Sequence, residues 1–370
     1  MSIVATGPAA GLPRWAVLGL LPALNLLAAF AISGLIVLLI GENPWEAVRM
    51  LVWGAFGFQE AIGYTLFYAT NFIFTGLAVA VAFHCGLFNI GGEGQAYIGG
   101  LGMALVCLYL DFLPFALIVP AAVVGAALFG AAWAFVPAWL QAYRGSHIVI
   151  TTIMFNFIAA AVMAYLLVNV MSRPGSMEPE SRDFALHARL PLMHEALGAM
   201  GIDIAASPLN LSFLWALLCC AVVWVFMWHT RAGYRLRTAG ASPPAALYGG
   251  ISPPRQIIVA MVVSGALAGC MSLNELMGVQ HRLVLEFTAG YGFAGIAVAL
   301  MGRGHPVGIV LASLLFGALY QGGAELSFEI PGITRDMVVV IQGLVILFAG
   351  ALEFMFVPAV RAVLLRSSGG

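Results

Sequence analysis

Glu93 is the residue from which the chemistry of this chain is best approached. It lies in the run Gly86–Gly100, GLFNIGGEGQAYIGG, between Gly91, Gly92 and Gly94, with the amides of Asn89 and Gln95 close by. An ionisable side chain in an apolar stretch is a functional hypothesis by default. Three roles are open to it. It can cap the helix that follows, where a carboxylate suits the positive N-terminal dipole end; it can pair with an arginine such as Arg303; or it can hydrogen-bond a solute. A second glycine-broken run, Ala289–Gly295 (AGYGFAG), lies far downstream and contains Gly290 and Gly292. Asn71 and Asn156 are lone amides in apolar runs, which turns them toward a bundle interior or a pore. Phe88, Tyr97, Tyr291 and Phe293 stand beside the glycine breaks, as packing residues or as platforms for a flat ligand.

Catalytic and metal chemistry find no such foothold. All 15 cationic side chains are arginine, so a Walker A lysine, a Schiff-base lysine and a pyridoxal anchor are excluded. The seven histidines form no H-E-x-x-H, and no Gly-x-Ser-x-Gly elbow occurs. The five cysteines sit in or beside apolar runs and read as small hydrophobes. No cofactor or metal is expected on this chain. A net charge of −1 gives no basic patch for a nucleic acid.

The elements that carry these residues must be membrane helices. The chain has 370 residues, 62% of them hydrophobic and 8% charged, against roughly half apolar and a quarter charged in a soluble domain. That much apolar surface requires lipid, and the fold class is an all-α integral membrane protein. With about 20 apolar residues needed per crossing, ten windows qualify: 15–40, 61–83, 95–110, 112–139, 148–170, 211–229, 256–277, 285–301, 307–322 and 337–359. The first is too long for a cleaved signal peptide. The whole of 1–370 reads as one transmembrane domain.

Both glycine-broken runs open short spans. Irregular backbone is tolerated at bilayer depth only where it lines a cavity or is buried in protein. Paired short, glycine-interrupted spans in two halves point to a transporter site. The breaks at Gly91, Gly92 and Gly94 and at Gly290 and Gly292 therefore predict two repeats, spans two to five and seven to ten, inverted by the sixth span. The arginines predict cytoplasmic N- and C-termini: Arg14, Arg144, Arg231, Arg235, Arg237, Arg255, Arg303, Arg361 and Arg366 then fall inside, and the other six outside. Glu93 and Glu353 are the acids on the inner half.

Two polar segments stand apart. Residues 171–210 form a proline-rich, mixed-charge loop on the outer side, suited to a cap or a docking surface. Residues 230–256, TRAGYRLRTAGASPPAALYGGISPPRQ, lie inside. Ser242 followed by Pro243 predicts an N-cap with proline in the first turn and a short helix from Pro243 to Tyr248 that stops at Gly249-Gly250. Six residues do not hold a helix by themselves, so this one needs a packing partner. A docking helix for a cytoplasmic motor protein is the sharper reading.

Three motifs carry a family resemblance. Gly86–Gln95 (GLFNIGGEGQ) is similar to the signature of ABC-importer permease subunits for simple sugars, nucleosides and branched-chain amino acids. Gly145–Asn156 (GSHIVITTIMFN) resembles the G-x-x-E-V-I-T-T-I-M-x-N stretch of the nucleoside branch, with Ile148 where that branch has glutamate. Gly290–Arg303 (GYGFAGIAVALMGR) resembles a third run of the same branch. The resemblance implies a multi-pass subunit of the bacterial inner membrane that is not itself an enzyme. It implies a second permease subunit, identical or homologous, an ABC ATP-binding subunit that uses ATP and Mg, and an extracytoplasmic substrate-binding protein. It places the coupling helix in the inner loop, implicating Arg235, Arg237, Ser242, Pro243, Ala245, Ala246, Tyr248 and Gly249. Asn71, Phe88, Asn89, Glu93, Gln95, Asn156, Tyr291 and Phe293 become candidates for the solute path. The expected cargo is a nucleoside or simple sugar. The alternatives are a branched-chain amino acid carried by the same family, or an ion-coupled secondary transporter, which would want more buried acids than Glu93 alone.

Overall fold

The computed structural model describes residues 15–348 except Pro174, together with Pro13, Leu352 and 355–367. Arg14 and Glu353, which enter the orientation reading, and part of the tenth window lie outside the described residues. The helices are α1 (Leu21–Ile40), α2 (Pro44–Phe56), α3 (Gln59–His84), α4 (Gly92–Tyr109), α5 (Phe115–Arg144), α6 (Ile148–Asn169), α7 (Met193–Gly198), α8 (Ser212–His229), α9 (Arg231–Ala241), α10 (Pro243–Tyr248), α11 (Pro253–Ser272), α12 (Tyr291–Met301), α13 (Pro306–Glu329), α14 (Arg335–Ile346) and α15 (Val357–Ser367). A π-helix, Leu273–Gln280, continues α11. Among the described residues there is no β-strand beyond two isolated bridges. The protein is an all-α membrane protein.

Among the described residues, seven helices are long and apolar enough to cross a bilayer: α1, α3, α5, α6, α8, α11 with its π extension, and α13. The ten expected windows are therefore corrected in part. Window 285–301 contains only the 11 residues of α12, about 16 Å of helix at 1.5 Å per residue and too short for a crossing. The strained loop ahead of α12 uses up the remainder, with Glu286, Ala289 and Gly290 all at positive φ. Window 337–359 begins with α14, which has 12 residues. Helix α2 was not anticipated. It starts where Asn43 accepts the Trp45 N–H with Pro44 behind it, a local stop and restart inside an otherwise apolar stretch.

By internal packing the chain divides into two units, residues 1–57 with 318–370, and residues 58–317. In the first, Val37, Ala47, Leu326, Ile333, Val338 and Ile341 form a buried core, and Gly322 of α13 lies directly against the Leu51 backbone of α2. The second unit carries every glycine break. Helix α3 is its centre: 83% of its apolar window is buried, against 22% for α6, so α6 presents side chains such as Ile150 and Phe157 outward.

Glycines set the close crossings of this unit. Gly99 and Gly102 on α4, Gly125 and Gly130 on α5, and Gly265 and Gly269 on α11 bring three backbones into direct contact, with Ala126 completing the α5 stripe. Small residues four apart are the usual means of such approach in lipid, where the hydrophobic effect does not drive helices together. The neighbours of the two short helices are exchanged: α4 packs on α11, and α12 packs on α3. Gly92 at the start of α4 lies against Gly292 at the start of α12. The two half-helices thus meet N-terminus to N-terminus.

Candidate functional site

Where α4 and α12 meet, Glu93 bridges them. One of its carboxylate oxygens accepts the Gly290 N–H at 2.9 Å and the other the Gly292 N–H at 2.7 Å. The Thr288 hydroxyl and the Phe293 N–H also point to it. Of the roles open to Glu93, the structure shows capping, but of α12 and not of its own helix. The orphan N–H groups at a helix start need acceptors where water is scarce, and the positive dipole end adds electrostatic gain. Gly292 is required here because a Cβ would collide with the Glu93 backbone. Glu93→Gln keeps one acceptor oxygen and loses the charge, a change of about 1 kcal/mol at a helix N-terminus. For the transport activity that the motif resemblance implies, initial uptake rates at equal membrane abundance are expected to fall several-fold with Glu93→Gln and considerably more with Glu93→Ala.

The amides near Glu93 serve the irregular backbone. Asn89 is fully buried; its Oδ1 accepts the Gly91 N–H and an N–H of Gln95, while its Nδ2 donates to Gln95 and to Ser264 on α11. The Ser264 hydroxyl in turn donates to the Ala78 carbonyl. Asn156 on α6 accepts the Gly94 N–H and donates to the Ile90 carbonyl, both near 3.0 Å. Asn89 and Gln95 thus hold the turn between α3 and α4, and neither lines the cavity described below.

Asn71 belongs to a different network. It donates to Glu275 at 2.6 Å and accepts from Asn274 at 2.8 Å. Asn274 also accepts from Asn210 and Ser212, and the Tyr291 hydroxyl reaches Glu275. Glu275 and Asn274 are buried and lie in the π-helix, a form that often marks functional sites. The sequence reading missed Glu275, although the apolar window 256–277 already contained it. Glu93 is therefore not nearly alone among the buried acids. Tyr291 packs edge-on against Phe72, ring centroids 5.4 Å apart, and is spent on packing and on this network. Phe88 leans on Phe83 at 5.3 Å, and Phe293 remains half exposed.

Beside the Glu93 bridge is a cavity of about 510 Å³, lined by Glu93, Tyr97 and Asn156 and by Leu285, Glu286, Thr288, Ala289 and Gly290. Of the expected path residues, Glu93 and Asn156 reach it. Tyr97, one of the aromatics read as packing residues or platforms for a flat ligand, lines it too. Glu286 and Thr288 are additions.

The cavity has a definite place along α4. At the C-terminal end of this helix Arg182 donates to the Leu108 carbonyl and pairs with Asp111 at 2.9 Å, tying down the 171–210 segment. Arg282 pairs with Glu180 in the same way, and the Phe184 N–H donates to the His281 carbonyl. Burial pushes the His281 imidazole below its usual 6.5, and the Arg189 charge acts in the same direction. Folding thus favours the neutral ring. Its contribution is whole above pH 6.5 and is lost as pH falls through the depressed folded value. Hydrogen exchange across residues 180–184 is expected to quicken on acidification, after correction for intrinsic rates.

Ahead of α4, the His84–Gly86 turn touches Gly240 of α9 backbone to backbone. His84 does not turn to Glu93; its Nε2 meets the Gly304 carbonyl at 3.0 Å and its ring stands edge-on to Trp228. Trp228 also faces His305 and, at 5.9 Å, the Arg237 guanidinium. The expected loop helix forms: Ser242 caps α10 over Pro243–Tyr248, with Gly249 ending it. Helix α9, capped by Thr230, precedes it and was not anticipated. Arg235, Ala245, Leu247 and Tyr248 are exposed, while Ala246 is fully buried and is corrected from a docking residue to a packing one.

Buried broken helices meeting head to head beside a polar cavity, in an all-α membrane protein, define a solute-translocating membrane subunit. The comparisons agree. Residues 61–350 match the family described as branched-chain amino acid transport system / permease component, and the chain belongs to it. It is a permease component and not an enzyme. It is 33% identical to the guanosine ABC transporter permease protein NupP of Bacillus subtilis over 90% of this chain and 93% of that one. It is 32% identical to the glucose ABC transporter permease protein TsgB13 of Haloferax volcanii, covering 94% and 90%. For the nucleoside ABC transporter permease protein NupB of Lactococcus lactis the figures are 31%, 93% and 94%. No solved structure matches.

Proposed function

We propose that this chain is the membrane permease of an ATP-driven importer, forming with a second permease the path for a nucleoside or simple sugar. The observation that carries this is the order along α4. The cavity lies on one side of the Glu93 bridge, toward the end pinned by Arg182, and the contact with α9 lies on the other. Motion of α9 and α10 therefore has a direct backbone route, through Gly240 and the His84–Gly86 turn, to the two half-helices.

The partners follow from that order. An ATP-binding subunit, the user of ATP and Mg, docks on the exposed face of α10 from the cytoplasm, the side on which the arginine bias also puts the termini. An extracytoplasmic binding protein docks on the 171–210 segment. The Lactococcus lactis relative is accompanied in the same organism by a second named permease protein, NupC, which supports a heterologous pair. The whole chain then acts as one transmembrane domain in the plasma membrane. The family description mentions branched-chain amino acids, but the cavity wall carries no arginine or histidine to meet a carboxylate, which favours a neutral solute.

The test is purification of the tagged chain in mild detergent, with mass spectrometry of everything that accompanies it. A Walker A ATPase and a second permease are expected. A chain that emerges alone and moves solute down an ion gradient in ATPase-free liposomes would overturn the importer.

A further inference from the structure

The cavity beside Glu93 has a lining that selects among solutes. Most of its polar groups are already engaged. Glu93 holds α12, Thr288 turns to Glu93, and Asn156 is committed to Gly94 and Ile90. Two are not. The Tyr97 oxygen accepts the Glu286 N–H at 2.8 Å. This leaves its hydroxyl proton without an acceptor among the described residues, on a side chain only 6% exposed. The Glu286 carboxylate, at the exposed rim, has no hydrogen bond or ion pair among the described residues.

Glu286 is also held in a costly backbone conformation. Its φ is 55° and that of Ala289 is 44°, in the left-handed region that non-glycine residues seldom adopt. Such geometry persists where surrounding structure enforces it, and it clusters at ligand sites. Here the Tyr97 hydroxyl and the Ala289 N–H, which donates to the Glu286 carbonyl, fix the loop.

We infer that this cavity is a subsite for a neutral ring bearing vicinal hydroxyls, read by the Glu286 carboxylate with the Tyr97 hydroxyl as a neighbouring donor. The two oxygens of a carboxylate accept from two adjacent hydroxyls at once, through charge-assisted bonds. A volume of about 510 Å³ falls in the range of small-ligand sites, and Leu285, Ala160, Ala164 and Ala289 supply an apolar wall for the ring. An anion would meet Glu93 and Glu286 with no cation in the lining, so phosphorylated or carboxylate solutes are rejected here as well as at any external binding protein. The inference rests on the importer reading above and narrows its cargo.

The test uses the complete importer in membrane vesicles. The solute is whichever of radiolabelled uridine, guanosine and glucose the wild-type assembly imports, beside its analogue lacking two vicinal hydroxyls. Glu286→Gln keeps the shape and removes the charge. Glu286→Asn shortens the side chain with a residue that tolerates the left-handed backbone. Each variant is compared with wild type on both solutes, so discrimination by the binding protein cancels. Both variants are expected to lower uptake of the vicinal diol about tenfold and that of its analogue less than twofold. Equal losses on the two solutes, or no loss on either, would overturn the subsite while leaving the importer intact. So would wild-type uptake of leucine or uridine monophosphate in place of the neutral solutes. ATP-independent uptake by the wild type would overturn the importer reading and the inference with it.

Discussion

Gly265→Leu is expected to leave no folded protein in the membrane. A Cβ at Gly265 overlaps the Gly130 carbonyl of α5, and one at Gly130 overlaps the Gly265 carbonyl. The clash is reciprocal and involves backbone on both sides, so no change of rotamer relieves it. Overpacking with flexible neighbours costs about 1–3 kcal/mol; parting two helices whose backbones touch costs more, against a total stability of about 5–15 kcal/mol. One turn further along, Gly269 meets Ala126 and Gly99, so α4 is displaced as well. Size-exclusion profiles of a fluorescent fusion report the outcome directly: Gly265→Leu gives aggregate or nothing, and Gly265→Ala a reduced monodisperse peak. Gly343, with nothing near its Cβ position, is the control that tolerates alanine.

The double substitution Leu247→Asp with Tyr248→Asp is expected to abolish ATP-coupled uptake while leaving the chain folded. Tyr248 is 98% and Leu247 67% exposed, on a helix of six residues whose only buried side chain is Ala246. An exposed tyrosine and leucine side by side on a polar loop mark an interaction surface, and a buried interfacial tyrosine is typically worth about 2 kcal/mol or more, about thirtyfold in affinity. Placing two carboxylates there adds a desolvation cost on docking. Fluorescence size exclusion should be unchanged, and recovery of the ATP-binding subunit with the chain should fall at least tenfold. The loss is expected to exceed that of Glu93→Gln, because Glu93→Gln weakens one bridge inside the subunit, whereas on the proposed docking at α10 the double substitution uncouples the subunit from its motor. Ala246→Asp makes a poor test of docking, since it puts a charge into a packed position and its effect is on folding.

Much of this arrangement was legible in order along the chain. Membrane residence followed from composition, because no soluble fold buries so much apolar side chain. The α10 boundaries followed from Ser242, Pro243 and Gly249, whose capping preferences are local. Helix breaks at Gly91–Gly94 and Gly290–Gly292 were readable because glycines flanking polar groups in a span have few other uses.

What tertiary structure decided is which polar group meets which. Glu93 caps a helix some two hundred residues away, a pairing set by backbone contact at Gly92 and Gly292 that no spacing encodes. Asn89 turned inward to the Gly91 N–H, with Gln95 paired to its side chain, because an unsatisfied backbone N–H at bilayer depth is costly. Glu275 escaped notice because an acid near the end of an apolar window looks like an interfacial residue until a π-helical turn carries it into the interior. Glu286 stood at the very start of the apolar window 285–301, where an acid reads as a span end, and only the closing of α4 against α12 placed it at the mouth of a cavity. Residue type and local spacing thus determined which segments enter the membrane and where they break. Side-chain partners depended on contacts between segments distant in sequence, which exist only once the helices have met.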